Sequence, residues 1–229
     1  MILAAIVAGG TGTRMGGELP KQFMTLHSKP VLICTIECFL RHPSVDAVIV
    51  GVHSDWIGYT EKLIQEYLPN SKVFLTHGGI NRNETIVQII SFAENTLHCS
   101  EEDIILSHDA ARPFVTERII TDSLDAVRRF SVVTAAIPET DTIAFTSNGT
   151  TAESFPDRSN IFRIQTPQTF TIGAFKEVYH GLTAEEKAAA TDVCSLFHQK
   201  SLPVGLIAGD HRNIKLTFPS DMHYAQTIL

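Results

Sequence analysis

A chain of 229 residues has the length of one α/β domain, and 44% apolar against 19% charged residues is ample for a buried core. A formal net charge of −7 argues against a general nucleic-acid binder, because phosphate backbones select basic surfaces. No apolar run approaches the ~20 residues that cross a bilayer, and Met1 leads straight into an apolar strand with no basic leader; a cytoplasmic protein with no membrane partner is expected.

Ile2–Val7 is apolar and reads as a buried first strand. It empties into Val7-Ala8-Gly9-Gly10-Thr11-Gly12-Thr13-Arg14-Met15-Gly16-Gly17-Glu18-Leu19-Pro20-Lys21-Gln22. Glycines let the backbone approach a phosphate chain, and successive N–H groups form an anion-binding concavity. Arg14 and Lys21 add positive charge to whatever the loop holds. A nucleoside triphosphate bound by its phosphates is the functional reading; a strand-to-helix turn with a solvated arginine is the plain one. The P-loop is excluded, since no Lys-Ser or Lys-Thr follows the last glycine, and the dinucleotide fingerprint fails at Met15.

Beyond the loop, apolar runs at Ala47–Val52, Lys72–Thr76, Asp103–Ser107 and Val132–Ile137 read as strands. Amphipathic stretches at Pro30–Arg41, Asp55–Tyr67, Asn83–Leu97 and Thr116–Phe130 read as helices. Cys34 and Cys38, four apart in the first of these, fit small core residues on one face and lack the further ligands of a zinc site. The alternation implies a Rossmann-like α/β fold, with a mostly parallel sheet, helices on both faces and ligands at the carboxyl ends of the strands. Residues 138–162 break the rhythm: two short strand-like runs flank the turn Ser147-Asn148-Gly149-Thr150 and read as a protruding β-hairpin arm on a single domain spanning 1–229. An isolated two-stranded ribbon is marginal in water, so the arm needs a surface to pack on. Thr171–Tyr179, Thr183–Lys200, a strand near Val204–Ile207, a late strand at Asn213–Thr217 and a terminal helix from Pro219 complete the chain.

Further polar clusters follow the strands. In Gly78-Gly79-Ile80-Asn81-Arg82-Asn83-Glu84-Thr85, N–H groups and the Thr85 hydroxyl are suited to reading a base or ribose; alternatively Asn81 or Asn83 is a helix cap with Arg82 exposed. Asp109, in His108-Asp109-Ala110-Ala111-Arg112-Pro113, is a carboxylate at a strand's carboxyl end beside a phosphate site, which suits Mg²⁺. Arg112 either holds Asp109 or touches phosphate. Asp157-Arg158 and Arg163-Ile164-Gln165-Thr166-Pro167-Gln168 lie at the base of the arm, Thr191-Asp192 opens a helix, and Lys215 is either an exposed edge lysine or a ligand-binding cation. No serine triad, histidine metal pair or cysteine elbow stands out, so the chemistry is positioning and charge neutralisation.

Taken together, Ala8-Gly9-Gly10, Gly12, Arg14-Met15, Pro20-Lys21-Gln22, His108 to Pro113, Gln165 to Gln168, Thr191-Asp192 and Asn213-Ile214-Lys215 resemble the polyol-phosphate cytidylyltransferase family across nearly the whole chain. That resemblance implies CTP and a sugar-alcohol phosphate giving a CDP-polyol and pyrophosphate, with Mg²⁺ as cofactor. It implies catalytic roles for Arg14 and Lys21, and CTP binding by Val7, Ala8, Gly9, Gly10, Thr11, Gly12, Gly79, Arg82, Thr85, Ala110 and Arg112. It implies Asp109 as the metal ligand, and Thr142, Arg158, Thr191 and Lys215 at the acceptor's phosphate. In this family the hairpin is a dimerisation arm whose Thr and Arg reach the partner's active site, so a homodimer is expected.

Two branches of the family differ in acceptor. Ala8-Gly9-Gly10, Arg82 to Ile86, Leu182 to Lys187 and Thr191 to Cys194 resemble the D-ribitol 5-phosphate branch. The Arg14-to-Lys21 spacing, Arg163-Ile164-Gln165 and Ala111 resemble the 2-C-methyl-D-erythritol 4-phosphate branch, and Ile80 stands where both carry an acid. Ribitol 5-phosphate is the expected acceptor, with methylerythritol 4-phosphate the alternative.

Overall fold

The computed structural model describes residues 1–10 and 19–228. Strand β1 (Ile2–Ala8) is followed by a small antiparallel pair, β2 (Thr25–Leu26) and β3 (Lys29–Pro30), and then by α1 (Val31–Leu40) and β4 (Ala47–Val52). Next come α2 (Ile57–Tyr67), β5 (Val73–His77), α3 (Arg82–Leu97), β6 (Ile104–Asp109), α4 (Glu117–Ala126) and β7 (Val132–Pro138). The chain closes with β8 (Phe162–Thr171), α5 (Ile172–His180), α6 (Ala184–Ala189), α7 (Val193–Gln199), β9 (Val204–Ala208) and α8 (Pro219–Ala225).

Seven strands form one sheet in the order β5-β4-β1-β6-β8-β7-β9, parallel except where β8 runs against β6 and β7. Side chains alternate across a strand, and β1 shows the result. Leu3 and Ala5 pack beneath α3, α5 and α7, whereas Ala4, Ile6 and Ala8 pack beneath α1, α2 and α4. Both faces are therefore covered, as expected for an α/β sheet with crossover helices. A smaller cluster of Leu26, Val31, Ala111, Leu216, Met222 and Ala225 seats α8 against the loop after β6.

Three expectations need correction. Arg163 to Gln168, expected as a polar motif at the arm's base, belong to strand β8, whose residues 165–170 are buried in the sheet. Asn213–Thr217 is not a strand: its Leu216 N–H bonds to the Ala111 carbonyl in a loop, so no ladder forms. The stretch Thr183–Lys200, given no element type from the sequence, holds α6 and α7, Asp192 capping the second by accepting the Ser195 N–H. Cys34 and Cys38 are only partly buried, Cys38 donating to the Cys34 carbonyl at 3.3 Å.

Of the arm, residues 139–161, the described pairing is one antiparallel bridge between Phe145 and Ser154, closed at the base by the Glu139 N–H to the Ile161 carbonyl. Gly149 takes the positive φ of its turn, at 72°. Almost every arm residue is exposed, Phe145 and Phe155 included.

Candidate active site

The carboxyl ends of β1 and β6 and the loop between β5 and α3 converge on a cleft of about 340 Å³. Val7, Ala8, Gly9 and Gly10 form one wall. Gln22 secures that wall from below, its Nε2 donating to the carbonyls of Ala8 and Gly10, both at 3.1 Å.

The adjoining wall is Gly79, Ile80 and Asn81, and Gly9 packs directly against it, a Cβ there lying 3.1 Å from Thr85 Oγ1 and 3.8 Å from the Gly79 carbonyl oxygen. Asn81 is the cap of α3, accepting the Glu84 N–H at 2.9 Å. Thr85 is buried; its hydroxyl accepts the Gly79 N–H at 3.1 Å and donates to the Asn81 carbonyl at 2.9 Å. The hydroxyl expected to read a ribose thus ties the loop to the helix. The turn is so tight that a Cβ on Gly79 would lie 2.3 Å from the Glu84 Cβ and 2.7 Å from its carbonyl carbon, which only glycine avoids.

Asp109 ends β6 at the floor of the cleft, where three cations meet it. Arg82 Nε donates to Oδ1 at 3.2 Å, and Arg112 Nε and Lys215 Nζ approach Oδ2 at 3.3 and 3.0 Å. Burial disfavours a charged Asp109, but Arg82, Lys215 and Arg112 outweigh it and hold the carboxyl well below the usual range. The cluster keeps an excess of positive charge, which suits a polyanion.

Beneath Asp109 lies a layer of hydrogen-bonded polar groups, in which Asn213 Oδ1 is buried without a partner among the described residues. The Asp109 N–H donates to Thr166 Oγ1 at 3.2 Å, and that hydroxyl is 2.9 Å from His108 Nδ1. His108 Nε2 is 3.0 Å from the Arg112 carbonyl, which places a proton on Nε2; in the neutral ring Nδ1 then accepts from Thr166. Burial pushes the imidazole down to about 4, against the opposing pull of the Arg112 carbonyl and Asp109. Arg112 Nη1 donates to the Asn213 carbonyl at 2.7 Å, and Asn213 Nδ2 donates to the Thr166 carbonyl at 2.9 Å.

Of the expected residues, Val7, Ala8, Gly9, Gly10, Lys21, Gly79, Arg82, Thr85, Asp109, Ala110 and Lys215 come together on the cleft. Thr11, Gly12 and Arg14 lie outside the described residues. Arg112 sits behind Asp109 and does not line the cleft, and neither do the exposed Thr142, Arg158 and Thr191. Arg82 is not the exposed residue of the plain capping alternative. Lys215 is half-exposed but ion-paired, on an irregular segment rather than an edge strand. Gln22, Ile80, Asn81, Ala111 and Thr217 also line the cleft. Gln22 carried a signal, lying directly after Lys21, but its part in holding the glycine wall depends on the fold.

Among the described residues no cluster of three or more His, Cys, Asp or Glu can hold a metal alone, and Asp109 is the carboxylate on the cleft. Mg²⁺ commonly takes one or two carboxylates, water and substrate phosphates, so this donor set fits it once a polyphosphate is bound. No helix among the described residues is long and apolar enough to cross a membrane.

Residues 2–229 match the family described as IspD, 2-C-methyl-D-erythritol 4-phosphate cytidylyltransferase. A ribitol-5-phosphate cytidylyltransferase of Streptococcus pneumoniae (strain ATCC 700669 / Spain 23F-1) is 40% identical over 232 aligned positions, covering 100% of this chain and 99% of that protein. Among solved structures, a 4-diphosphocytidyl-2C-methyl-D-erythritol synthase superposes with a TM-score of 0.80 at 30% identity, over 98% of this chain and 96% of that one. The synthase from Anaerococcus prevotii DSM 20548 shares the fold, with a TM-score of 0.82 at 23% identity over 98% and 94% of the two chains. With that match along its whole length, and with a cationic cleft at the carboxyl ends of β1 and β6, the chain belongs to the IspD family of cytidylyltransferases and is a nucleotidyltransferase acting on CTP and a polyol phosphate.

Proposed function

We propose that this enzyme transfers CMP from CTP to D-ribitol 5-phosphate, giving CDP-ribitol and pyrophosphate. The observation that carries the chemistry is Asp109 with Arg82, Arg112 and Lys215 on the floor of a cleft walled by glycines. The acceptor is inferred from the Streptococcus pneumoniae relatives, full-length matches at 40% identity that bear the ribitol name.

In the reaction an acceptor phosphate oxygen attacks the α-phosphorus in line. One P–O bond forms as the bond to the β-phosphate bridge breaks, and its electron pair leaves with pyrophosphate. The nucleophile is already ionised at pH 7 and needs no general base. The obstacle is repulsion: two like unit charges ~4 Å apart cost about 4 kcal/mol at an effective dielectric near 20. Lys21 and Arg14 neutralise the triphosphate and the charge that develops on the leaving group, while the N–H groups of Gly9 and Gly10 orient it. Lys215 shares Asp109 with two arginines and is half-exposed, so it can swing to the acceptor's phosphate while the carboxylate keeps its other partners. Asp109 would hold Mg²⁺, which when bound supplies further neutralisation of the phosphates.

The arm belongs to the same proposal. Thr142 and Arg158 stand on an exposed segment that shows apolar Phe145 and Phe155 to solvent, which fits a homodimer in which each arm supplies those residues to the partner's cleft. Thr191, also exposed, is assigned to the acceptor side.

Pyrophosphate release with CTP and Mg²⁺ tests the proposal, comparing ribitol 5-phosphate with methylerythritol 4-phosphate. The ribitol substrate is expected to win in kcat/KM. The methylerythritol alternative draws on the family match over residues 2–229, and preference for that substrate would establish it instead. ATP, GTP and UTP in place of CTP test the base.

A further inference from the structure

Arg82 opens α3 and turns its guanidinium back over the sheet. Its three nitrogens are all engaged: Nε with Asp109 Oδ1 at 3.2 Å, Nη1 with Gln168 Oε1 at 3.0 Å, and Nη2 with Ser107 Oγ at 3.3 Å. Ser107 and Gln168 are directly opposite in the β6–β8 register, so both side chains rise from one face of the sheet beneath the guanidinium. Both are fully buried. A planar fork held in three directions is poorly placed to turn onto a phosphate and well placed to orient a carboxylate.

The Gln168 amide has one admissible orientation. Its Oε1 accepts from Arg82 and from the Val193 N–H at 3.2 Å, and its Nε2 donates to Asp192 Oδ2 at 2.6 Å. A flipped amide would set its NH₂ against two donors and its oxygen against a carboxylate. Asp192 is itself fixed, because its Oδ1 caps α7 by accepting the Ser195 N–H at 2.8 Å. A continuous line of hydrogen bonds thus runs from the start of α7 through Gln168 and Arg82 to Asp109. Gln168 does not line the cleft.

We propose that Gln168 is a positioning residue for the reaction: by aiming the Arg82 guanidinium it fixes the direction in which the Asp109 carboxylate addresses the cleft. The proposal deepens the nucleotidyl-transfer reading above and rests on it for its kinetic consequence.

The test separates aim from structural support. In Gln168→Glu combined with Asp192→Asn, donor and acceptor exchange places, so β8 stays tied to α7 and the helix stays capped, since asparagine caps as well as aspartate. The new carboxylate faces Arg82 and competes with Asp109 for it. The expected result is an unfolding temperature close to that of the native enzyme, kcat lower by about tenfold or more, and KM for CTP changed by less than about threefold. Recovery of kcat together with thermal stability would make Gln168 merely structural and overturn the proposal. A second readout needs no substrate. In ¹⁵N-resolved spectra the Arg82 Nε–H is expected to exchange slowly with water in the native protein and at least about tenfold faster in Gln168→Leu. An unchanged rate overturns the aim of Arg82 even if the acceptor has been misassigned. Failure of the native enzyme to turn over any polyol phosphate removes the proposed reaction and leaves the exchange result standing.

Discussion

The floor of the cleft and the arm are built on opposite principles. Around Asp109 nearly all the described polar groups are matched within the chain, Asn213 Oδ1 excepted: three cations share one carboxylate, and His108, Thr166, Arg112 and Asn213 close a ring of hydrogen bonds behind it. Residues 139–161 hold a single bridge and expose two phenylalanines. A buried polar cluster must be internally complete, because an unmatched group there costs its full desolvation. An exposed ribbon has no such requirement and can leave its apolar side chains for another surface. The same chain thus matches the polar groups of its cleft largely internally and leaves the apolar side chains of the arm exposed.

The largest expected effect tests the completeness of the floor. Asp109→Asn removes the one acidic partner that Arg112 and Arg82 have among the described residues, and breaking a buried ion pair costs about 3–5 kcal/mol. Urea unfolding measures it, and a loss below about 1 kcal/mol would show that the three cations do not depend on the carboxylate. Lys21→Ala should reduce turnover by about 10²–10³, the scale of losing a transition-state donor. Near-native turnover in pyrophosphate release would take Lys21 out of the mechanism.

His108 supplies a pH test of similar size. Its folded-state pKa of about 4 lies below the ordinary 6.5, so between those values the unfolded chain binds more protons and stability falls as pH falls. At 1.36 kcal/mol per pH unit the loss across that window is about 3 kcal/mol. Unfolding midpoints taken between pH 7 and 4 should show it, and His108→Gln should flatten the slope. The smallest effect belongs to the arm: Phe145→Ser with Phe155→Ser is expected to change the stability of the isolated fold by no more than about 0.5 kcal/mol, since neither side chain is buried there. Sedimentation should instead show weakened self-association. A large loss of stability with unchanged mass would mean that the arm packs on its own domain.

Much of this was legible from residue order. Apolar runs located the five parallel strands from β1 to β7 within two residues, because burial on both faces leaves little room for polar side chains. Strand β8 escaped for the converse reason: Gln165, Thr166 and Gln168 are buried and polar, satisfied by partners such as Asp210, His108 and Asp192 that only folding brings near. The cap at Asn81 was readable from local spacing, whereas the burial of Arg82 was not, since its partners stand 25 to 86 residues away. The glycine wall, Lys21 and Asp109 were visible as cleft residues; the placement of Arg112 behind the carboxylate and the engagement of the Thr85 hydroxyl were not.

Strand β8 has a mechanical consequence. Its first residues pair with Ala136 to Pro138 where the arm departs, and its later ones carry Thr166 and Gln168 beneath Asp109 and Arg82. One strand therefore links the base of the arm to the floor of the cleft, and its pairing with β7 shifts register between Ala136 and Thr134, so the two ends of β8 are joined through a bulge rather than a straight ladder.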